Sequence, residues 1–177
     1  MSASRSVPVG VANLITGIRL VLALGLWLVW TGAPWTSVAI ATVGALLDAV
    51  DGPLARRRGE VSRFGARFDM EVDAFLIVTL SVLGWRMGKA GAWVLLSGAM
   101  RYLFVAASWV WPWLAADLPE SYRRKAVCVV QIVTLIVTLA PVVGSPLSDA
   151  VAGGGLLLLA WSFAVDVAWL ARRRQPG

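Results

Sequence analysis

Long apolar runs separated by short polar stretches dominate the pattern of this chain. Six runs can be distinguished, and at a rise of about 1.5 Å per residue each is long enough to cross most of a hydrocarbon core of roughly 30 Å. The pattern predicts an all-α, polytopic membrane protein that forms one domain over residues 1–177. The six transmembrane helices are expected near residues 13–30, 35–51, 67–85, 90–111, 126–144 and 150–170.

Composition supports this class of protein. The chain is 59% hydrophobic with a mean hydropathy of +0.77, and only 15% of its residues are charged. A soluble domain of this length needs far more polar surface. The net charge of +6 does not indicate nucleic-acid binding, because the basic residues stand at the ends of the apolar runs. In that position they act as topology signals and contacts for anionic membrane lipids.

The distribution of Lys and Arg predicts the orientation in the membrane. Basic residues concentrate at both termini and in the second and fourth connections, whereas the opposite side would hold only Arg86 and Lys89. Cytoplasmic segments carry the excess of positive charge. Both termini are therefore expected in the cytoplasm, in agreement with an even number of spans.

Histidine is absent from the sequence. This removes the most common general base and the most common transition-metal ligand. A catalytic base would have to be a carboxylate, Lys, Tyr or bound water. A metal site would have to consist mostly of oxygen ligands, which favours Mg²⁺, Mn²⁺ or Ca²⁺.

Four aspartates stand at the end of the second run and the start of the third. Asp48 and Asp51 are three residues apart, and Asp69 and Asp73 are four apart, so each pair shares one face of its helix. The short connection makes the two helices neighbours, and the pairs can face each other. Converging carboxylates repel one another, and bound cations relieve that repulsion. One or two Mg²⁺ or Mn²⁺ ions suit such a site, and two-metal sites serve phosphoryl chemistry.

The same stretch also offers groups that suit a phosphate. Gly52 and Gly65 permit a ligand to approach the backbone, and Arg56 is a forked donor for phosphate oxygens. The aspartates could instead be helix-end residues or partners of the nearby arginines. Their number and spacing, together with the glycines and Arg56, favour a functional site.

These residues carry a resemblance to a known family. The segment 48–56 (DAVDGPLAR), followed by Gly65, Asp69 and Asp73, resembles the signature of the CDP-alcohol phosphotransferases, also called CDP-alcohol phosphatidyltransferases, at every position and spacing. Asn13-Leu14-Ile15-Thr16, followed by Arg19, resembles the opening of the first span in that family.

The resemblance implies a transferase that joins the phosphate of a CDP-linked donor to an alcohol hydroxyl and releases CMP. It implies two Mg²⁺ or Mn²⁺ ions held by Asp48, Asp51, Asp69 and Asp73, with Asp73 as the general base. Matching positions that line the CDP pocket are Gly52, Ala55, Arg56 and Gly65, and Asn13 and Thr16 would contact the nucleotide or its diphosphate. It further implies a homodimer and, for so small a member, a bacterial inner membrane with the active site on the cytoplasmic face.

The segment 121–131 bears on the acceptor. Its Ser121, Lys125 and Gln131 resemble a stretch of the phosphatidylglycerophosphate synthases, from which it departs at Arg124, Val127 and Cys128. Adjacent cations suit a phosphorylated acceptor, and an arginine inside a span is a functional candidate. The candidates for acceptor-phosphate binding are Arg101, Arg123, Arg124 and Lys125. Glu71 is expected to pair with a basic residue.

The function that the resemblance implies is transfer of the phosphatidyl group of CDP-diacylglycerol to a small phosphorylated alcohol with release of CMP, and glycerol 3-phosphate is the favoured acceptor. Inositol 1-phosphate, serine or an existing phospholipid are alternative acceptors. In a different class, four acidic residues in a six-span bundle could belong to a divalent-cation transporter, and an inactive scaffold is a third alternative. The position of the aspartates at the cytoplasmic end of two spans, beside Arg56, favours the enzyme.

Overall fold

The computed structural model describes residues 11–29, 34–58, 63–116, 118–119 and 121–173, of which the side chains at 11–12, 50–58 and 63 are not described. The described residues form six α-helices and no strands. Short 3-10 helices at Ala92–Val94 and Pro112–Ala115 flank the fourth α-helix. The α-helices are α1 (Val11–Val29), α2 (Pro34–Arg58), α3 (Arg63–Arg86), α4 (Leu95–Val110), α5 (Tyr122–Leu139) and α6 (Leu147–Arg173).

The helices correspond to the six predicted segments, and the all-α class is confirmed, but several ends differ. α5 begins at Tyr122 rather than near residue 126, so Arg123, Arg124 and Lys125 lie in its first turn instead of a loop. It ends at Leu139 instead of 144 because Ala140 precedes Pro141, and a residue before proline is disfavoured in helical conformation. α2 continues to Arg58, beyond the predicted end at 51.

Two helical segments are long and apolar enough to cross a membrane by length and composition, Ala92–Val110 and Leu147–Arg173, and a shorter apolar stretch covers Asn13–Val29. Many large apolar side chains also point outward, among them Leu28 on α1, Trp109 on α4 and Leu157 on α6. An apolar exterior of this extent is typical of a lipid-facing surface. The number of spans, six, and the cytoplasmic location of the termini remain predictions.

α3 lies at the centre of the bundle, where it contacts α1, α4 and α5. Its buried positions Val72, Leu76, Leu80 and Leu83 recur every three or four residues, which places them along one helical face. α1 faces this core with Ala23 and Leu26, and the same face continues towards the helix N-terminus with Arg19 and Thr16. The inward face of α1 therefore changes from apolar to polar along its length.

α3 and α4 approach closely at Gly98. A Cβ atom added at Gly98 would lie 2.6 Å from the Cα atom of Val78 and 2.9 Å from its Cγ2 atom. Because the first of these atoms belongs to the backbone, it cannot move aside as a flexible side chain does. This contact requires glycine on steric grounds, as close helix packing in membranes often does.

Substituting Gly98 with alanine is expected to lower the Tm of the detergent-purified protein, since overpacking of a close contact costs about 1–3 kcal/mol. Gly154→Ala is the matched control. Gly154 also lies in a helix, but a Cβ atom there would meet no atom within 4 Å. Equal Tm values for the two variants would contradict the proposed steric role of Gly98.

The connection between α3 and α4 is tied to the neighbouring ends of α5 and α6. The Lys89 ammonium donates hydrogen bonds to the carbonyl oxygens of Ala140 at 3.1 Å and Val143 at 2.7 Å, and thereby satisfies acceptors just after the C-terminus of α5. The backbone N–H of Gly91 donates to Asp149 Oδ1 at 3.2 Å. These contacts lie at the C-terminal end of α3, away from Asp69 and Asp73.

Candidate metal and phosphate site

Three of the four predicted aspartates converge, one from α2 and two from α3, although α2 packs mainly against α1 and α5 and is not the close neighbour of α3 that their short connection predicts. Each of Asp48, Asp69 and Asp73 offers a carboxylate oxygen, and these oxygens lie within 4.8 Å of one another. Asp69 and Asp73 stand one turn apart on α3, so their side chains share a face. Oxygen ligands in this number and at this spacing could hold a hard divalent cation. The side chain of Asp51, the fourth predicted ligand, lies outside the described residues.

The guanidinium of Arg19 lies among the three carboxylates. Its Nη1 atom is 2.8 Å from Asp48 Oδ1 and 2.6 Å from Asp69 Oδ1, and its Nη2 atom forms an ion pair with Asp73 Oδ1. The Nε–H donates to the carbonyl oxygen of Gly44 on α2 at 3.2 Å. Arg19 is only 2% exposed, so the burial of its charge is offset by these ion pairs and hydrogen bonds.

The place of Arg19 in the site does not follow from the family resemblance, in which it only follows the motif Asn13–Thr16. A signal was present. Arg19 is the only charged residue between positions 11 and 29, and a charged residue within an apolar span is a functional candidate. The same argument predicts a functional role for Arg101, which lies against Glu71 in another part of the fold.

α5 closes another side of the aspartate cluster. The thiol of Cys128 lies 3.8 Å from Asp73 Oδ2, and the other oxygen of that carboxylate, Oδ1, pairs with Arg19. Gln131 follows one turn later and is buried. Arg124 precedes Cys128 by four residues, so it lies on the same face of α5, one turn nearer the helix N-terminus.

The cations at the start of α5 differ in how firmly they are held. Arg123 donates to the Ser162 carbonyl oxygen at 2.7 Å and to its Oγ at 2.5 Å, and it pairs with Asp166. Arg124 is 3.5 Å from Asp166 Oδ1 and also donates to the carbonyl oxygen of Pro119. Lys125 is exposed. Arg123 is thus anchored to α6, whereas Arg124 has one close and one distant partner.

Arg101 on α4 pairs with Glu71 on α3, which agrees with the expectation that Glu71 pairs with a basic residue. Glu71 stands two residues from both Asp69 and Asp73 and so points to a different side of α3. The structure therefore places Arg101 against the α4-facing side of α3, and Arg19 against the aspartates.

Three of the remaining predicted donor-site residues stand within two helical turns of Arg19 or Asp69 along α1 and α3. Thr16 is buried three residues before Arg19, and Asn13 is half-buried one turn before Thr16. Gly65 lies in the first turn of α3, one turn before Asp69. The predicted contacts of Gly52, Ala55 and Arg56 depend on positions whose side chains lie outside the described residues.

Comparison of the sequence with protein-family profiles identifies the family of this chain. The profile of the CDP-alcohol phosphatidyltransferase family matches residues 9–166. The chain belongs to this family. A search of curated proteins found no match.

Membership defines the general activity and setting of this CDP-alcohol phosphatidyltransferase. The family consists of membrane-embedded phosphotransferases of phospholipid biosynthesis that transfer a phosphatidyl group from a CDP-alcohol. The chain is accordingly a polytopic membrane enzyme. Members generally depend on divalent metal ions, and Asp48, Asp69 and Asp73 supply the oxygen ligands that such ions prefer.

Proposed function

We propose that this transferase moves the phosphatidyl group of CDP-diacylglycerol onto glycerol 3-phosphate with release of CMP. The observation that carries the proposal is the convergence of Asp48, Asp69 and Asp73 within the region that matches the family. In this proposal those three residues and Asp51 hold two Mg²⁺ or Mn²⁺ ions. The ions would stabilise the negative charge that develops on the phosphate oxygens.

The proposed reaction is a displacement at phosphorus. The acceptor hydroxyl oxygen attacks the phosphorus that bears the diacylglycerol, and a new P–O bond forms. The bond from that phosphorus to the bridging oxygen breaks, and CMP leaves with the bridging oxygen. The hydroxyl proton passes to the Asp73 carboxylate. A carboxylate base agrees with the absence of histidine from the sequence.

Asp73 suits this role because its two oxygens have different surroundings. Oδ1 pairs with Arg19, and Oδ2 faces α5 beside Cys128. An oxygen that points towards the helix of the proposed acceptor site is the one best placed to receive the hydroxyl proton. We assign the proton to Oδ2 for this reason.

The donor site in this proposal consists of residues from the beginning of α1, the end of α2 and the beginning of α3. Thr16 lies on the same face of α1 as Arg19, which places it on the side of the aspartates. The glycines would allow the diphosphate close to the backbone, and Arg56 would bind phosphate oxygens as a fork. The full proposed set is Asn13, Thr16, Gly52, Ala55, Arg56 and Gly65.

The acceptor site in this proposal lies at the start of α5. Arg124 shares a helical face with Cys128, which contacts Asp73, so an acceptor phosphate bound by Arg124 and Lys125 would leave its hydroxyl near Oδ2. Arg123 and Arg101 each pair closely with a carboxylate, whereas Arg124 lies 3.5 Å from the carboxylate of Asp166, a longer contact. Of the four predicted cations, we therefore place Arg124 first and Lys125 second.

The proposed setting is a bacterial inner membrane with the site on the cytoplasmic face, where CDP-linked donors and water-soluble acceptors meet. Support comes from the excess of Lys and Arg in the segments beside the aspartates. A homodimer and a single catalytic domain spanning the whole chain complete the proposal.

The test is CMP release by the purified protein with CDP-diacylglycerol and Mg²⁺ or Mn²⁺. Glycerol 3-phosphate, inositol 1-phosphate, serine and phosphatidylglycerol are supplied separately. We expect release with glycerol 3-phosphate and its loss on chelation of the metal. Release only with another acceptor would change the proposed acceptor and leave the proposed donor and reaction in place. No release with any acceptor from well-folded, metal-loaded protein would contradict the proposed donor and activity together.

A further inference from the structure

Arg19 contacts all three carboxylates of the candidate metal site with a single side chain. One nitrogen of its fork binds Asp48 and Asp69, and the other binds Asp73. The hydrogen bond from Nε to the Gly44 carbonyl oxygen also ties the guanidinium to the backbone of α2. Four polar contacts from one buried side chain leave its position closely defined.

The contacts matter energetically because neither partner is stable in this place alone. Three carboxylates whose oxygens lie within 4.8 Å repel one another, and a buried guanidinium without anions would be strongly unfavourable. The positive charge of the guanidinium reduces the net charge of the described cluster from −3 to −2. Arg19 thus supplies part of the positive charge that a bound cation would bring to the aspartates.

A divalent ion at these carboxylates would meet the positive charge of Arg19 at short range. Like charges a few ångströms apart in a partly buried site repel more strongly than they do in water. The ion and the guanidinium also draw on the same carboxylates. Binding of the ion must therefore weaken or displace contacts that Arg19 makes.

We infer that Arg19 is a positioning residue that serves as the counter-cation of the aspartate triad when no metal ion is bound, and that it lowers the affinity of the site for metal. It holds the three side chains together in the metal-free protein, and it competes with the ion that replaces it. The inference rests on the proposed metal site, and it requires neither the proposed acceptor nor turnover.

The test compares Arg19→Met and Arg19→Gln, which remove the charge, with Arg19→Lys, which keeps it. Mn²⁺ binding to the purified protein is measured by electron paramagnetic resonance of the free ion, without substrate. We expect the neutral variants to bind Mn²⁺ at least about tenfold more tightly than wild type, because the repulsion is gone. Arg19→Lys should stay within about threefold of wild type, since a point charge remains.

A second measurement follows thermal unfolding in EDTA and in saturating Mn²⁺. Relative to wild type, the neutral variants should show a larger decrease in Tm in EDTA than in Mn²⁺, because without Arg19 only the ion can offset the repulsion among the carboxylates. A neutral variant that folds only when Mn²⁺ is present throughout purification would also agree with the inference.

Two results would overturn the inference. The first is weaker Mn²⁺ binding by both neutral variants, which would make Arg19 part of the metal-loaded site. The second is failure of both to fold even with Mn²⁺ supplied. Because neither readout uses substrate, a protein that binds Mn²⁺ as expected but releases no CMP would contradict the proposed function and leave this inference standing.

Discussion

Replacing Asp73 with asparagine is expected to reduce the rate of CMP release by at least about a thousandfold, because loss of a general base alone typically costs 10²–10⁴ and loss of a metal ligand adds to this. The amide has nearly the same shape as the carboxylate, so the packing around α3 should survive. What changes is the charge and the ability to accept a proton. In wild type the Asp73 carboxylate lies between Arg19 and Cys128.

The measurement is the initial rate of CMP release with saturating donor, acceptor and Mn²⁺, accompanied by Tm. Asp149→Asn is the matched control. Asp149 lies at the other end of the bundle, where its carboxylate accepts from the Gly91 N–H, and it should keep at least half of the wild-type rate. An Asp73→Asn protein with a rate within tenfold of wild type would exclude Asp73 as the base.

Replacing Arg124 with glutamine is expected to raise the KM for glycerol 3-phosphate by about 10- to 100-fold, since a charge-assisted contact with phosphate contributes about 1.5–3 kcal/mol. The KM for CDP-diacylglycerol should stay near the wild-type value, and kcat should fall much less than the KM rises. The reason is that Arg124 stands one turn from Cys128 on the face of α5 that meets Asp73.

The matched control is Arg172→Gln, which removes a positive charge from the last turn of α6. It should leave both KM values unchanged. Equal increases in KM for donor and acceptor in the Arg124 variant would contradict a specific acceptor role. A second check uses an acceptor without phosphate. If such an acceptor is turned over at all, its KM should not respond to the Arg124 change.

The sequence was informative wherever local spacing determined geometry. Asp69 and Asp73 had to share a face because they are four residues apart on one helix. Asp48 is near them for a different reason from the one that the short connection suggests: α2 packs mainly against α1 and α5 rather than α3, and Arg19 of α1 pairs with Asp48 as well as with Asp69 and Asp73. The helical period and the length of the apolar runs likewise predicted the six helices, although their ends were uncertain by several residues where proline or charged residues follow.

Contacts between distant helices could not be predicted in this way. Arg19 meets Asp73 across 54 positions, and Arg123 meets Asp166 across 43. No local pattern specifies which of several arginines pairs with which carboxylate, since the choice depends on how α1, α5 and α6 are rotated about their axes. For this reason the acceptor candidates appeared equivalent in sequence, and only the structure separates the anchored Arg123 from Arg124.

The contact between Cys128 and Asp73 has a practical consequence. Cys128 is the only cysteine of the chain, and its sulfur is 3.8 Å from a carboxylate oxygen of the cluster. A thiol-directed label could therefore attach at one position only, and its reaction is expected to be slow because the thiol is half-buried beside a carboxylate, which disfavours the thiolate. The rate at which that thiol reacts with a small alkylating reagent would report when a nucleotide or lipid occupies the adjoining space, in the unmodified wild-type protein.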